Sequence, residues 1–433
     1  MPVLQTQEGK ALPVVGVLGG GQLGRMMAAA AHRLGLELVV LDPLGAQSPA
    51  GQLGVGAIAG SFTDEAKIQE LAARCDVLTV EIEHVNAAVL QRLERVQVHP
   101  APQTIALIQD KFQQKQFFAG VDGVHVAPFA VVASHADAAA VGQAFGYPFM
   151  LKSRLLAYDG KGNAVVSQPS DIADAFAKLG ASNAKDGGAM LYAEKWVPFV
   201  KELAVMVVKA GTDVRAYPVV ETTQKDSICD TVLAPAQVSA ATYAAAQQLA
   251  LHAIEKLEGN GIYGVELFLT ADGGVLLNEV APRPHNSGHY TIEACETDQF
   301  EQHLRAVAGC RSVAAISPSV LRSWSTCLVL RMPTRRRAMP NCASACACQE
   351  LRRTITENPV ASARVASSDT GRLSRPRLGS CDAVRRPCRL RFSRARGSRK
   401  TAPSLVSSWA PTRISQRWRR PPRCWTSSTC RTS

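Results

Sequence analysis

Short apolar runs alternate with helical stretches over the first hundred positions. Residues 14–18 (VVGVL) form an apolar run that ends in glycines, Gly24 to Leu34 has a helical pattern, and Leu38–Leu41 and Val77–Val80 read as further buried strands. Strands separated by helices predict a parallel sheet. Pro100 and Pro102 mark a break before a helix around 110–118. Val131–Val132 and Phe149–Lys152 read as strands of a further unit, and the Ala-rich stretch 238–257 as a helix. Tyr263–Thr270 and Val275–Val280 are predicted strands with Asp272-Gly273 between them. Asp-Gly suits a two-residue hairpin loop because both residues tolerate positive φ. With that loop Glu266 faces Glu279 across the hairpin, with Cβ atoms roughly 4.5–5.5 Å apart. Like charges so placed repel, so either a divalent cation joins them or they splay into solvent.

Composition divides the chain in two. The 433 residues carry a net charge of +12, but residues 310–433 hold 26 basic and 4 acidic residues and residues 1–309 are net −10. Of the tail cations 25 are arginine, and 9 of the 12 cysteines lie there too. The body has only Cys75, Cys229 and Cys295, which suggests a reducing compartment rather than a disulfide framework. The chain shows neither a long uncharged apolar run nor a secretory leader, so a cytoplasmic location and no membrane span are expected.

Candidate chemistry clusters in the acidic body. Gly19 to Gly24 (GGGQLG) fits G-x-G-x-x-G between a strand and a helix, with Asp42 ending the next strand. That is a dinucleotide spacing, and it also fits a mononucleotide phosphate site or a plain tight turn. Tyr158-Asp159-Gly160-Lys161-Gly162-Asn163 suits a flap over phosphates or an ordinary turn. Glu194 to Val197 and then Glu202 offer carboxylates and backbone groups near a strand end. Asn278-Glu279 followed by Ala281–His289 (APRPHNSGH) is the densest polar cluster of the body. Arg283 suits a phosphate or carboxylate, and His285 and His289 suit proton transfer, phosphate contact or the surface.

Taken in order, GGGQLGRM, DGKG, NE and APRPHNSGH resemble the N5-carboxyaminoimidazole ribonucleotide synthase family of ATP-grasp enzymes, over nearly all of 1–309. The fungal form, fused to a second half in phosphoribosylaminoimidazole carboxylase, looks most similar. The resemblance implies an α/β chain: a doubly wound, Rossmann-like (pre-ATP-grasp) domain over 1–124 that binds substrate, then an ATP-grasp α+β domain over 125–309. It implies ATP and Mg²⁺, with bicarbonate phosphorylated to carboxyphosphate and aminoimidazole ribonucleotide then carboxylated, in purine biosynthesis. Carried over by position, Lys111, Lys152, Glu194, Val197, Glu202 and Asn278 would bind ATP, and Glu266 and Glu279 the metal. Gly20, Gln22, Leu23, Glu81, Tyr158, Asp159 and His289 would bind the ribonucleotide. Lys161, Arg283, His285 and Asn286 would surround the reacting centre. A homodimer is a possible assembly in the family. One departure is Leu155-Leu156-Ala157, where many members have Thr-Gly-Gly.

Beyond Gly309 the family continues with a small apolar domain, whereas this chain turns Arg-, Ser-, Cys- and Pro-rich. Trp409–Trp418 (WAPTRISQRW) can be back-translated into codons that, after one added base, read MGSDSDLPTM. That string resembles the opening of the second, mutase half of the fungal fusion. Residues 310–433 are therefore expected to be out of frame or disordered, an unstructured tail without a packed fold. Two rival functions remain: a nicotinamide-dependent oxidoreductase, resting on the glycine loop and Asp42, and a nucleic-acid-binding protein, resting on the tail. Arginine without lysine, mixed with cysteine and tryptophan, fits the latter poorly, and no nucleic-acid partner is expected.

Overall fold

The computed structural model describes residues 12–155, 162–180, 191–225, 228–310, 326–331 and 356–357. The chain begins with β1 (Val15–Leu18), α1 (Gln22–Leu34), β2 (Leu38–Asp42), β3 (Gly56–Ala59), α2 (Glu65–Ala72), β4 (Val77–Val80), α3 (Ala87–Gln91), β5 (Gln97–Val98) and α4 (Pro102–Gln109). These strands form a parallel sheet in the order β3-β2-β1-β4-β5. Every residue of β1, β2 and β4 is buried, because helices cover both faces, and the strands therefore read as near-continuous apolar runs, with Thr79 inside β4 and Asp42 ending β2. Gly16 lets that cover close in: a Cβ there would meet Leu78 at 2.5 Å and Cys75 at 2.9 Å.

Two antiparallel sheets follow. α5 (Lys111–Ala119) starts at Asp110, whose side chain caps the Phe112 and Gln113 amides, and β6 (Phe129–Val132) and α6 (His135–Phe145) come next. β7 (Phe149–Ser153), β8 (Asn163–Val166), α7 (Ile172–Gly180) and β9 (Leu191–Lys195) complete a four-stranded sheet in the order β6-β9-β7-β8. The larger sheet is built from β10 (Phe199–Ala210), β11 (Asp213–Ala216), β12 (Val220–Lys225), β13 (Ile228–Ala234), β14 (Gly261–Thr270) and β15 (Val275–Ala281). α8 (Ala240–Glu255), capped by Ser239, buries Ala246, Leu249, Ala250 and Ile254 against it. α9 (Thr291–Ala294) and α10 (Gln299–Val307) follow. Phe300, Leu304 and Val307 of α10 return to the first sheet and pack with Val15, Met27 and Val40. Within the tail, β16 (Thr326–Arg331) pairs antiparallel with β13, and β17 (Thr356–Glu357) with β16. The expectation of a wholly unpacked tail therefore does not extend to these segments.

The β14–β15 hairpin turns differently from the expected two-residue loop. The Thr270 amide donates to Gly274 (2.9 Å) and the Gly273 amide to Thr270 (3.0 Å), so Ala271 to Gly273 form a three-residue loop. Gly273 occupies its left-handed position at φ 87°. Leu267 then pairs with Leu277, yet Glu266 pairs with Glu279. Asn278 is the extra residue of a β-bulge. The bulge restores the register that the loop had shifted, so the two carboxylates meet as expected although the loop is not the expected one.

Candidate functional site

The bulge decides which way β15 points its polar residues. In a regular strand Asn278 and Glu279 would face opposite sides. Here both line one cleft while Leu277 stays in the core, 1% exposed. The cleft, of about 470 Å³, is lined by both antiparallel sheets. Glu279 accepts from Lys111 Nζ at 3.1 Å. Glu266 accepts from Asn278 Nδ2 at 3.4 Å and lies 3.4 Å from His285 Nε2. Burial, then the Glu279 and Glu202 charges, raises the pKa of Glu266. Burial acts the same way on Glu279, but Lys111 and Lys152 outweigh it and its pKa falls. Asn278 Oδ1 is buried without a hydrogen-bond partner. Two carboxylates and an orphaned amide oxygen are the ligand chemistry of a hard divalent cation, so these residues fit Mg²⁺.

Across the cleft, charges alternate. Glu194 of β9 accepts from Lys152 of β7 (3.1 Å) and from Tyr192 Oη (2.9 Å). Burial opposes its charge, yet Lys152 and Lys115 prevail and its pKa drops to about 2. Arg283 grips Glu83 through two bonds, of 2.6 and 3.1 Å. Burial would neutralise Glu83, but Arg283 and then Lys111 hold it ionised, with a pKa of about 2. Burial and the neighbouring Arg283 lower His285 to about 4, so its ring is neutral at pH 7, with Nδ1 2.8 Å from Ser287 Oγ. Trp196 and Val197 sit between β9 and β10, where their backbones are outside the sheet ladders, and Phe199 stacks on Phe268 at 4.6 Å.

Lys111, Lys152, Glu194, Val197, Glu202, Glu266, Asn278, Glu279, Arg283, His285 and Asn286 thus line one cleft. Gly20, Gln22, Leu23 and Glu81 gather beside it at the start of α1, and His289 joins them through Gln22 Nε2 at 3.4 Å. Leu23 packs on the core of the first sheet. Tyr158, Asp159 and Lys161 lie outside the described residues. Glu83, Lys115 and Tyr192 carry the buried charge network without having been singled out. The E-x-E spacing of Glu81 and Glu83 after a buried strand was a usable signal for Glu83. Lys115 reads only as one more polar residue of a helix.

The glycine loop is filled by the chain itself. The Glu81 carboxylate accepts from the Gly21 and Gly24 amides, and Asp42 Oδ2 from Gly20 at 3.0 Å. A Cβ on Gly19, Gly21 or Gly24 would come within 3 Å of the Glu81 side chain. The glycines make room for an internal carboxylate and not for a pyrophosphate. The nicotinamide reading loses the two features it rested on.

A parallel N-terminal sheet followed by two antiparallel sheets around a cleft of lysines and carboxylates defines an ATP-grasp protein. Family models agree, with a ribonucleotide synthetase pre-ATP-grasp domain over 12–109 and an ATP-grasp domain over 118–300. The chain is 36% identical over 297 residues to N5-carboxyaminoimidazole ribonucleotide synthase of Bacillus subtilis, covering 68% of this chain and 76% of that one. It is 51% identical over 301 residues to phosphoribosylaminoimidazole carboxylase of Schizosaccharomyces pombe, covering 68% and 53%. A crystal structure of the Aspergillus clavatus synthase with ADP and 5-aminoimidazole ribonucleotide superposes with a TM-score of 0.67 at 42% identity, covering 74% and 81%. The chain belongs to the N5-carboxyaminoimidazole ribonucleotide synthase family. It spans about half the length of the fungal carboxylases it matches.

Proposed function

We propose that this chain uses ATP and bicarbonate to carboxylate 5-aminoimidazole ribonucleotide in purine biosynthesis. The observation that carries the reading is the bulged hairpin, which aims Glu266, Asn278 and Glu279 at a cleft faced by Lys111 and Lys152. Mg²⁺ held by Glu266 and Glu279, with Asn278 beside them, would neutralise charge on the triphosphate. Lys111 and Lys152 hold phosphate oxygens, and the strap around Val197 and the Glu202 carboxylate face adenine and ribose. Arg283, kept rigid by Glu83, stabilises the charge of the carboxyphosphate formed when bicarbonate attacks the γ-phosphoryl group. His285, whose ring is held by Ser287 and Glu266, would give up one of those contacts to take a proton from the exocyclic amine as carboxyphosphate releases inorganic phosphate and its carbon dioxide bonds to that amine. Glu81 would accept from a ribose hydroxyl of the substrate. By the resemblance alone, Lys161 would act at the reacting centre and Tyr158 and Asp159 would bind the ribonucleotide. The domains divide near 124 and 309, and the tail is the out-of-frame remnant of the C-terminal domain and mutase half.

The test is ATP hydrolysis by the full chain with bicarbonate, with and without the ribonucleotide. Stimulation by the ribonucleotide is expected, and Glu279→Gln should lose it. Hydrolysis indifferent to both substrates would refute the assignment.

A further inference from the structure

Lys115 touches no part of the cleft surface, yet it joins the two ends of the site. Its side chain is 3% exposed, on the face of α5 that packs against β15. β15 is an edge strand, and the bulge at Asn278 interrupts its ladder, so nearby backbone groups need other partners. α5 supplies them. Lys115 Nζ donates to the carbonyls of Asn278 (2.9 Å) and Leu277 (3.4 Å). Gln114 donates to the Val280 carbonyl (3.1 Å) and accepts from the Val280 amide (3.0 Å), as a neighbouring strand would. The same Lys115 Nζ lies 3.3 Å from Glu194 Oε2 on β9, the carboxylate that also holds Lys152. An ammonium has three protons, and these three partners occupy them.

We infer that Lys115 is a positioning residue that locks the Asn278 bulge and spaces it from Glu194, so that the cation end and the Lys152 end of the cleft form one rigid unit. Without it the bulge carbonyls lose their partner, the Asn278–Glu279 pair no longer aims as a unit, and Glu194 is held by Lys152 and Tyr192 alone. The inference rests on the nucleotide and cation reading proposed above.

The experiment is calorimetric titration of the full chain with ADP, in Mg²⁺ and in EDTA, for wild type, Lys115→Met, Lys115→Arg and Gln114→Met. Hydrogen exchange at the Val280 amide is followed in parallel. Wild type should bind ADP more tightly in Mg²⁺. Lys115→Met should cut that enhancement about 10-fold or more, the scale of losing a partner one shell out from a metal ligand. The Val280 amide should exchange faster, and Lys115→Arg should restore part of both effects. Gln114→Met, which removes no charge, should weaken the enhancement less; it decides the matter if Lys115→Met does not fold, since an unchanged enhancement there overturns the inference. A Lys115→Met protein that melts earlier but keeps the full Mg²⁺ enhancement and slow Val280 exchange overturns it alone. No Mg²⁺ enhancement in wild type overturns the cation reading and this inference with it.

Discussion

Acid should loosen the joint between the first sheet and the large sheet through His303. Its ring is fully buried on α10, with Nδ1 accepting from the Ile262 amide of β14 at 3.0 Å and Nε2 2.8 Å from Thr79 Oγ1 of β4. With Nδ1 committed as an acceptor, the single proton sits on Nε2 and is donated to Thr79. A second proton would point at the Ile262 N–H. Burial, and then the nearby His99, lowers the pKa from 6.5 to about 3. The unfolded chain takes up its proton near pH 6.5 while the folded chain refuses it until about pH 3. Stability is therefore intact above pH 6.5 and lost as pH falls toward 3, by at most ~1.4 kcal/mol per unit. His303→Asn keeps an acceptor for Ile262 but does not ionise. At pH 7.5 it should be less stable by about 2–3 kcal/mol, for the lost Thr79 bond and the smaller side chain. By pH 4.5 wild type has given up a similar ~2–3 kcal/mol and the gap should nearly close. Urea unfolding at pH 7.5, 6 and 4.5 reads this directly. A constant offset between the two proteins across that range would refute the protonation argument.

Arg283→Met strands Glu83 in a site where each side chain is 17% exposed, and urea unfolding should show a loss of about 3 kcal/mol; a loss below about 1 kcal/mol would mean that Lys111 alone suffices. Gly24→Ala should lower the melting temperature although alanine favours a helix by ~1 kcal/mol, since its Cβ would lie 2.9 Å from Glu81 Oε2. Adding Glu81→Ala should relieve that loss, and a thermal melt showing additive losses would break the link between glycine loop and carboxylate. Sequencing the gene across codon 309 should reveal a base lost or gained, and an intact frame would end that account of the tail.

Much of this was legible in the sequence because apolar runs and prolines act locally. The runs at 14–18, 38–41 and 77–80 became β1, β2 and β4, and the helix expected around 110–118 became α5, but the break at Pro100 and Pro102 leads first into α4, which Pro102 begins. The meeting of Glu266 and Glu279 was legible too, though by two offsetting departures: Gly273 took a three-residue loop and Asn278 a bulge. The clue to the bulge was the polar doublet Asn278-Glu279 inside an apolar strand, which regular alternation cannot place on one face. The self-filled glycine loop was not legible. Glycine spacing encodes room near the backbone, and says nothing of whether a ligand or Glu81 will use it. Lys115 was hidden for a related reason: its three partners lie on β9 and β15, far away in sequence.

Helix α10 is the last α-helix of the described chain, yet Phe300, Leu304 and Val307 cover a face of the sheet that forms from the first hundred residues. A nascent chain emerging at ~5–20 residues per second must then leave that face open for on the order of ten seconds or more. Val15, Met27 and Val40 are its exposed handles during that interval. The first sheet thus completes this face only after a helix encoded roughly two hundred residues downstream has been made.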